Sequence, residues 1–129
     1  MTPALLGVDP SGLLFASVET ALPGAVVGWD MPAGDGQKCL LTLSPGACPT
    51  PVTQRMTMTL SCYAPQPDGS CDWPTAAGMF TTAVRALLAR RRTWPLVDAS
   101  IQSGPIRQHD GRLGVDYAYG AVLLTVAAR

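Results

Sequence analysis

The sequence predicts an α+β domain: a mostly antiparallel sheet of about five strands with two helices packed on one face, in the order α-β-β-β-α-β-β. Three observations lead there. "VTQRMTMTLSCY" (52–63) alternates apolar and polar residues, as a strand with one dry face and one wet face does. Two other stretches carry apolar residues at helical spacing behind an Asp that can cap them. The 129 residues fit a single domain, 1–129, long enough to fold without staples.

The elements follow in order. "DPSGLLFASVETALPG" reads as the first helix: Asp9 caps it, Pro10 takes the first helical position, and Leu14, Val18, Ala21 and Leu22 form one apolar stripe that Pro23-Gly24 ends. "AVVGW" (25–29) and "KCLLTLS" (38–44) read as strands joined by the turn-rich link 31–36, and the three prolines of 45–51 make a loop. In 52–63, Val52, Met56, Met58, Leu60 and Cys62 share the dry face, with Gln54 the exception. Asp72 caps the second helix, whose stripe is Trp73, Ala77, Phe80, Val84, Leu87 and Leu88. Arg90, Arg91 and Arg92 close its last turn, where cations suit the helix dipole. "PLVDASIQS" (95–103) is the fourth strand, with Val97, Ala99 and Ile101 on one face. "GVDYAYGAVLLTV" (114–126) is the fifth. Being apolar on both faces after Tyr117, it lies either in the centre of the sheet or beneath another subunit.

Hydrophobic residues make up 47% of the chain and charged residues 14%, which implies that a partner covers part of the surface. Net charge is zero, so no overall field draws the protein to nucleic acid or to an anionic membrane. The longest apolar run, 117–128, is about half of the ~20 residues that a membrane-spanning helix needs. The start of the chain lacks the basic residues of a signal peptide, so folding in a cytoplasm is expected.

Cysteines 39, 48, 62 and 71 lack the close pairing of zinc ligands and read as free thiols. A hairpin centred near Cys48 sets Cys39 opposite Thr57. Cys62 then lies about five residues, roughly 16 Å, further along. That is beyond the reach of a disulfide, whose Cα atoms sit within about 7 Å, so Cys39 and Cys62 are expected to stay unpaired; if any pair oxidises, the loop residues Cys48 and Cys71 are the better candidates.

The one histidine, His109, precedes Asp110 between Arg107 and Arg112. A catalytic reading needs a nucleophile within its reach, and no G-x-S-x-G supplies one. Asp110-Gly111 between two strands is instead a hairpin-turn signal. Segment 104–114 is therefore expected to project as a docking hairpin, with Arg107, His109 and Arg112 as its contacts and Arg90, Arg91 and Arg92 as a second candidate patch. Phosphate-binding glycine motifs and metal-ligand clusters are missing, so no catalytic residue, metal or cofactor is expected.

The stretch 52–126 resembles the tail terminator (tail completion) proteins of long-tailed, siphovirus-like bacteriophages. The similar features run in order: an amphipathic strand ending in "CYA", a loop into an alanine-rich helix, a strand ending in "SGP" (103–105), a polar loop, and a closing strand with Tyr119, Leu123 and Val126. The proline-rich loop around Cys48 and the four cysteines depart from the family. The resemblance implies a structural virion protein, not an enzyme, that forms a homo-hexameric ring at the head-proximal end of the tail tube. Its implied partners are its own copies, the major tail tube protein and the head–tail connector or stopper. DNA would pass through the lumen without specific binding, and no membrane would be involved. The implied location is the tail–neck region of the virion, after assembly in the host cytoplasm. Tyr117, Tyr119 and Leu123 are the candidate subunit-interface residues. The alternatives are another head–tail joining protein, or a small α+β ligand-binding domain or hydrolase using His109.

Overall fold

The computed structural model describes residues 7–34 and 36–128. Residues 1–6 and 129 of the expected domain, and residue 35 of the expected link, lie outside them. The chain forms α1 (Ser11–Ala21), β1 (Val26–Gly28), β2 (Lys38–Pro45), β3 (Thr53–Tyr63), α2 (Trp73–Ala89), β4 (Leu96–Asp110) and β5 (Val115–Ala127). The sheet order is β1-β2-β3-β5-β4. The sheet is mixed: β1 runs parallel to β2, and every other neighbouring pair is antiparallel. β5 lies between β3 and β4; one of its faces joins the core, while Tyr117, Tyr119 and Leu123 on the other are only half-buried.

Period-two alternation decides where the core sits. Met56, Met58, Leu60 and Cys62 of β3 pair with Leu124, Val122, Gly120 and Ala118 of β5, and all the side chains in this set are fully buried. Leu14 and Val18 of α1, and Ala76, Phe80, Ala83 and Leu87 of α2, belong to the same core cluster. Each fully buried Leu, Met or Phe contributes about 1.5–3 kcal/mol relative to exposure.

Both helix starts are anchored by an aspartate. Asp72 accepts the Thr75 N–H at 3.4 Å and the Thr75 hydroxyl at 2.7 Å. At α1 the expectation shifts by one residue: Pro10, not Asp9, holds the cap position, and the Asp9 carboxylate accepts the Ser11 N–H at 2.9 Å. Arg90 is the C-cap residue of α2, with Arg91 and Arg92 in the turn beyond it rather than in the last helical turn.

Four further expectations need correction. Val52 is exposed, because β3 begins one residue later and Val52 belongs to the preceding turn. The β2–β3 register sets Cys39 opposite Cys62, not Thr57. The ladder continues past Pro45, with Gly46 N–H to Arg55 O at 2.7 Å and Arg55 N–H to Ala47 O at 2.8 Å, so it is centred at Thr50–Pro51 and the chain reverses through Pro51–Val52. The two buried sulfurs lie 3.7 Å apart as free thiols, so distance does not keep them from pairing. Their mutual hydrogen bond, with burial, holds the Cys62 thiol far above its ordinary pKa and its thiolate scarce.

The third correction concerns β4, which runs on to Asp110 instead of ending at Ser103. Only residues 111–114 form the turn, so Arg107 and His109 sit on a strand. The fourth is the facing of β4. Three register shifts each insert one residue, the first between Leu96 and Asp98. Leu96 and Ala99 therefore face the helices while Val97 is exposed, and Ile101, at the rim, is 49% exposed. Pro105 is tolerated because β4 is an edge strand.

Gly104 and Gly120 form a notch under Phe80. A methyl group at Gly120 would stand 2.3 Å from Phe80 Cζ and 2.4 Å from the Ser103 carbonyl oxygen. One at Gly104, where φ is +100°, would stand 2.7 Å from the Tyr119 carbonyl oxygen. Only glycine lets the ring and the two strands approach this closely.

Candidate functional site

The β4–β5 tip is organised by Asp110. One carboxylate oxygen accepts the N–H groups of Arg112 at 2.9 Å and Leu113 at 3.1 Å, and the other accepts the Tyr63 hydroxyl at 2.9 Å. Gly114, at φ +68°, closes the turn by donating its N–H to Asp110 O. Burial alone would raise the Asp110 pKa. The hydrogen bonds from Leu113, Tyr63 and Arg112 outweigh it and hold the group below the ordinary carboxylate range. Tyr63 is shifted the other way, first by burial and then by its bond to Asp110. The Asp-Gly signal thus marks a real turn, four residues long rather than two.

Beside the tip, His109 pairs across the strands with Asp116. One Asp116 oxygen meets His109 Nδ1 at 2.8 Å and the other accepts Arg107 Nε–H at 2.8 Å. The Arg107 guanidinium also lies 5.5 Å above the Trp73 ring. Arg107 first, then His109, holds Asp116 below the ordinary carboxylate range. Cys71 is close enough to feel Arg107 and Asp116, but burial pushes its thiol up, away from a reactive thiolate. Chemically the cluster is a fixed, exposed array of donors held by one carboxylate, suited to recognition.

Arg107 and His109 are therefore brought together, and Arg112 follows at the exposed turn. Arg90, Arg91 and Arg92 are also exposed but lie near the opposite end of β4, so the two arginine groups form separate patches. Tyr117, Tyr119 and Leu123 alternate on the sheet face away from the helices, each half-buried. Tyr117 stacks on Tyr63 with centroids 4.8 Å apart and meets Tyr119 edge-on at 6.3 Å. Along the outer edge, Val97, Ile101 and Ile106 are exposed, with Trp94 just before the strand.

No model of a known protein family matches this sequence, and no curated protein matches it. Among the described residues, no group of three or more His, Cys, Asp or Glu side chains could hold a metal ion. No helix among them is long and apolar enough to cross a membrane.

One feature escapes sequence reasoning. A groove of about 540 Å³ opens where β2 begins and β3 ends, lined by Lys38, Tyr63, Pro65, Pro67, Leu113 and Val115 among others. Its walls come from three separate segments, so no local motif announces it. The available signal is compositional: Lys38 is the only lysine beside eight arginines.

Proposed function

We propose that the chain is a ring-forming tail terminator of a long-tailed bacteriophage. It caps the head-proximal end of the tail tube, stops tube growth and joins the tail to the head connector. The observation that carries this reading is the asymmetry of the sheet edges. β4 offers a 15-residue edge with Val97, Ile101 and Ile106 exposed, whereas β1, at the other edge, has three residues. Unlike edges favour a head-to-tail contact between copies, and a head-to-tail contact that closes makes a ring. The bulges and Pro105 of β4 discourage simple strand addition, so the contact runs through side chains. Tyr117, Tyr119 and Leu123 extend it on the sheet face, and Arg107, His109 and Arg112 project toward the tube or the connector. A net charge of zero suits a lumen through which DNA slides without being held.

Light scattering and negative-stain microscopy at micromolar concentration test the ring. The expected result is six copies in a ring, or a monomer that closes into one on its own tail tubes. Ile101→Arg with Ile106→Arg should give a folded protein that does neither. A wild-type monomer indifferent to those tubes overturns the proposal. The His109–Asp116 pair is the observation favouring the second reading, a small hydrolase or ligand-binding domain, and His109→Ala separates the two.

A further inference from the structure

We infer that the groove at the start of β2 is a binding site for a small carboxylic acid with an apolar body, and that the Lys38 ammonium is its counter-ion. Lys38 is only 7% exposed. Among the described residues its side chain has neither an ion-pair nor a hydrogen-bond partner. Its nitrogen is not sealed in the interior, since no fully buried side-chain nitrogen or oxygen there lacks a partner. The stem is buried, then, and the ammonium surfaces in the groove that Lys38 lines. Among the described residues this ammonium has no counter-ion, and an anion in the groove would supply one.

The surroundings select the anion. Lys38 lies directly opposite Tyr63 across the β2–β3 ladder. The Tyr63 hydroxyl proton is committed to Asp110, so this tyrosine brings no second donor to the ligand. Lys38, the one cation among the residues that line the groove, matches a single carboxylate. A phosphate dianion would find only one positive charge, with Asp110 close by. Pro65, Pro67, Leu113 and Val115 give the walls an apolar surface for the rest of the molecule, and the volume is that of a small-ligand site.

Benzoate, benzamide and inorganic phosphate distinguish these features in an NMR titration of the full chain at pH 7. Benzoate should shift the Lys38 side-chain and Tyr63 ring signals and saturate. Benzamide, with the same ring and no charge, and phosphate should each bind at least about tenfold more weakly, the worth of one charge-assisted hydrogen bond. Lys38→Met should weaken benzoate by about the same factor without lowering Tm, because it removes an unpaired charge and keeps the stem. Lys38→Gln serves the same purpose if the Met variant fails to fold. Equal binding of benzamide, tighter binding of phosphate, undiminished benzoate binding by both variants, or signals that move elsewhere would each overturn the assignment. The groove lies within one chain, so the titration can be made on the non-assembling Ile101→Arg with Ile106→Arg protein, and failure of the ring would leave its result unaffected.

Discussion

Gln54 occupies a position where the alternation of 52–63 calls for a hydrocarbon, and it is fully buried. Its carboxamide oxygen accepts the Gly7 N–H at 2.9 Å and its nitrogen donates to Gly46 O at 3.1 Å. The exception is legible in the pattern; its purpose is not, because one partner lies 47 residues away. Gln54→Leu should destabilise by about 1–3 kcal/mol in urea unfolding, since it orphans buried backbone groups. A neutral result would show that water replaces the amide. Titrating groups set a second expectation. Asp110 and Asp116 are held below the carboxylate range, so the stability they contribute is fully present above about pH 4 and lost as pH falls through their native values. Tyr63 is raised, so its contribution is present below about pH 10 and lost as pH rises toward its native value. A plot of Tm against pH should therefore fall below about pH 4, stay flat to about pH 8.5, decline as the raised Cys62 and Cys71 thiols lose their contribution, and decline further beyond about pH 10 as Tyr63 adds its own. Tyr63→Phe should flatten the alkaline limb; an unchanged limb would assign it to another group.

At the scale of elements, the sequence conveys each helix and strand in order but not how far the fourth strand runs. The three inserted residues of β4 break its period two, so the facing of Val97 and Ile101 cannot be read by counting. The Cys39–Cys62 pairing was hidden for a related reason. A proline-rich loop gives no sign of which of its residues turns the chain, and a shift of the centre from Cys48 to Thr50–Pro51 moves every cross-strand partner. The Phe80 notch is equally silent, because "SGP" and "YGA" look like ordinary tripeptides until α2 lies across them. Gly120→Ala should destabilise by about 1–3 kcal/mol, with Phe80 and the β4 backbone displaced. Chemical denaturation checks the size, and a variant as stable as the parent would mean that the strands separate freely at this point.

For the whole molecule, the arginine-bearing tip and the apolar β4 edge are the two surfaces on which the ring reading rests. The residues at the tip were legible from sequence, but their geometry was not. Asp116 had been only one polar position on a strand, yet it holds both His109 and Arg107. Arg107→Ala with Arg112→Ala should leave circular dichroism and oligomeric state unchanged, and in a complementation assay should leave heads and tails unjoined. His109→Ala alone should give a normal yield of infectious particles. Normal virions from the arginine pair would reduce the tip to a solvated turn, while loss of infectivity from His109→Ala with intact particles would favour chemistry at that imidazole.

The notch beneath Phe80 also bears on how this lineage can drift. A methyl group at Gly120 collides with the Ser103 carbonyl as well as with the ring, and at Gly104 with the Tyr119 carbonyl. Shrinking Phe80 to Leu therefore cannot rescue Gly120→Ala, since the obstructing oxygen belongs to the backbone. The ring is free to vary at the expense of a cavity, whereas either glycine can change only if the two strands and the ring move apart. Descendants that have lost all overall resemblance to this chain should still carry both, one on each of the last two strands, as the most durable mark of common ancestry.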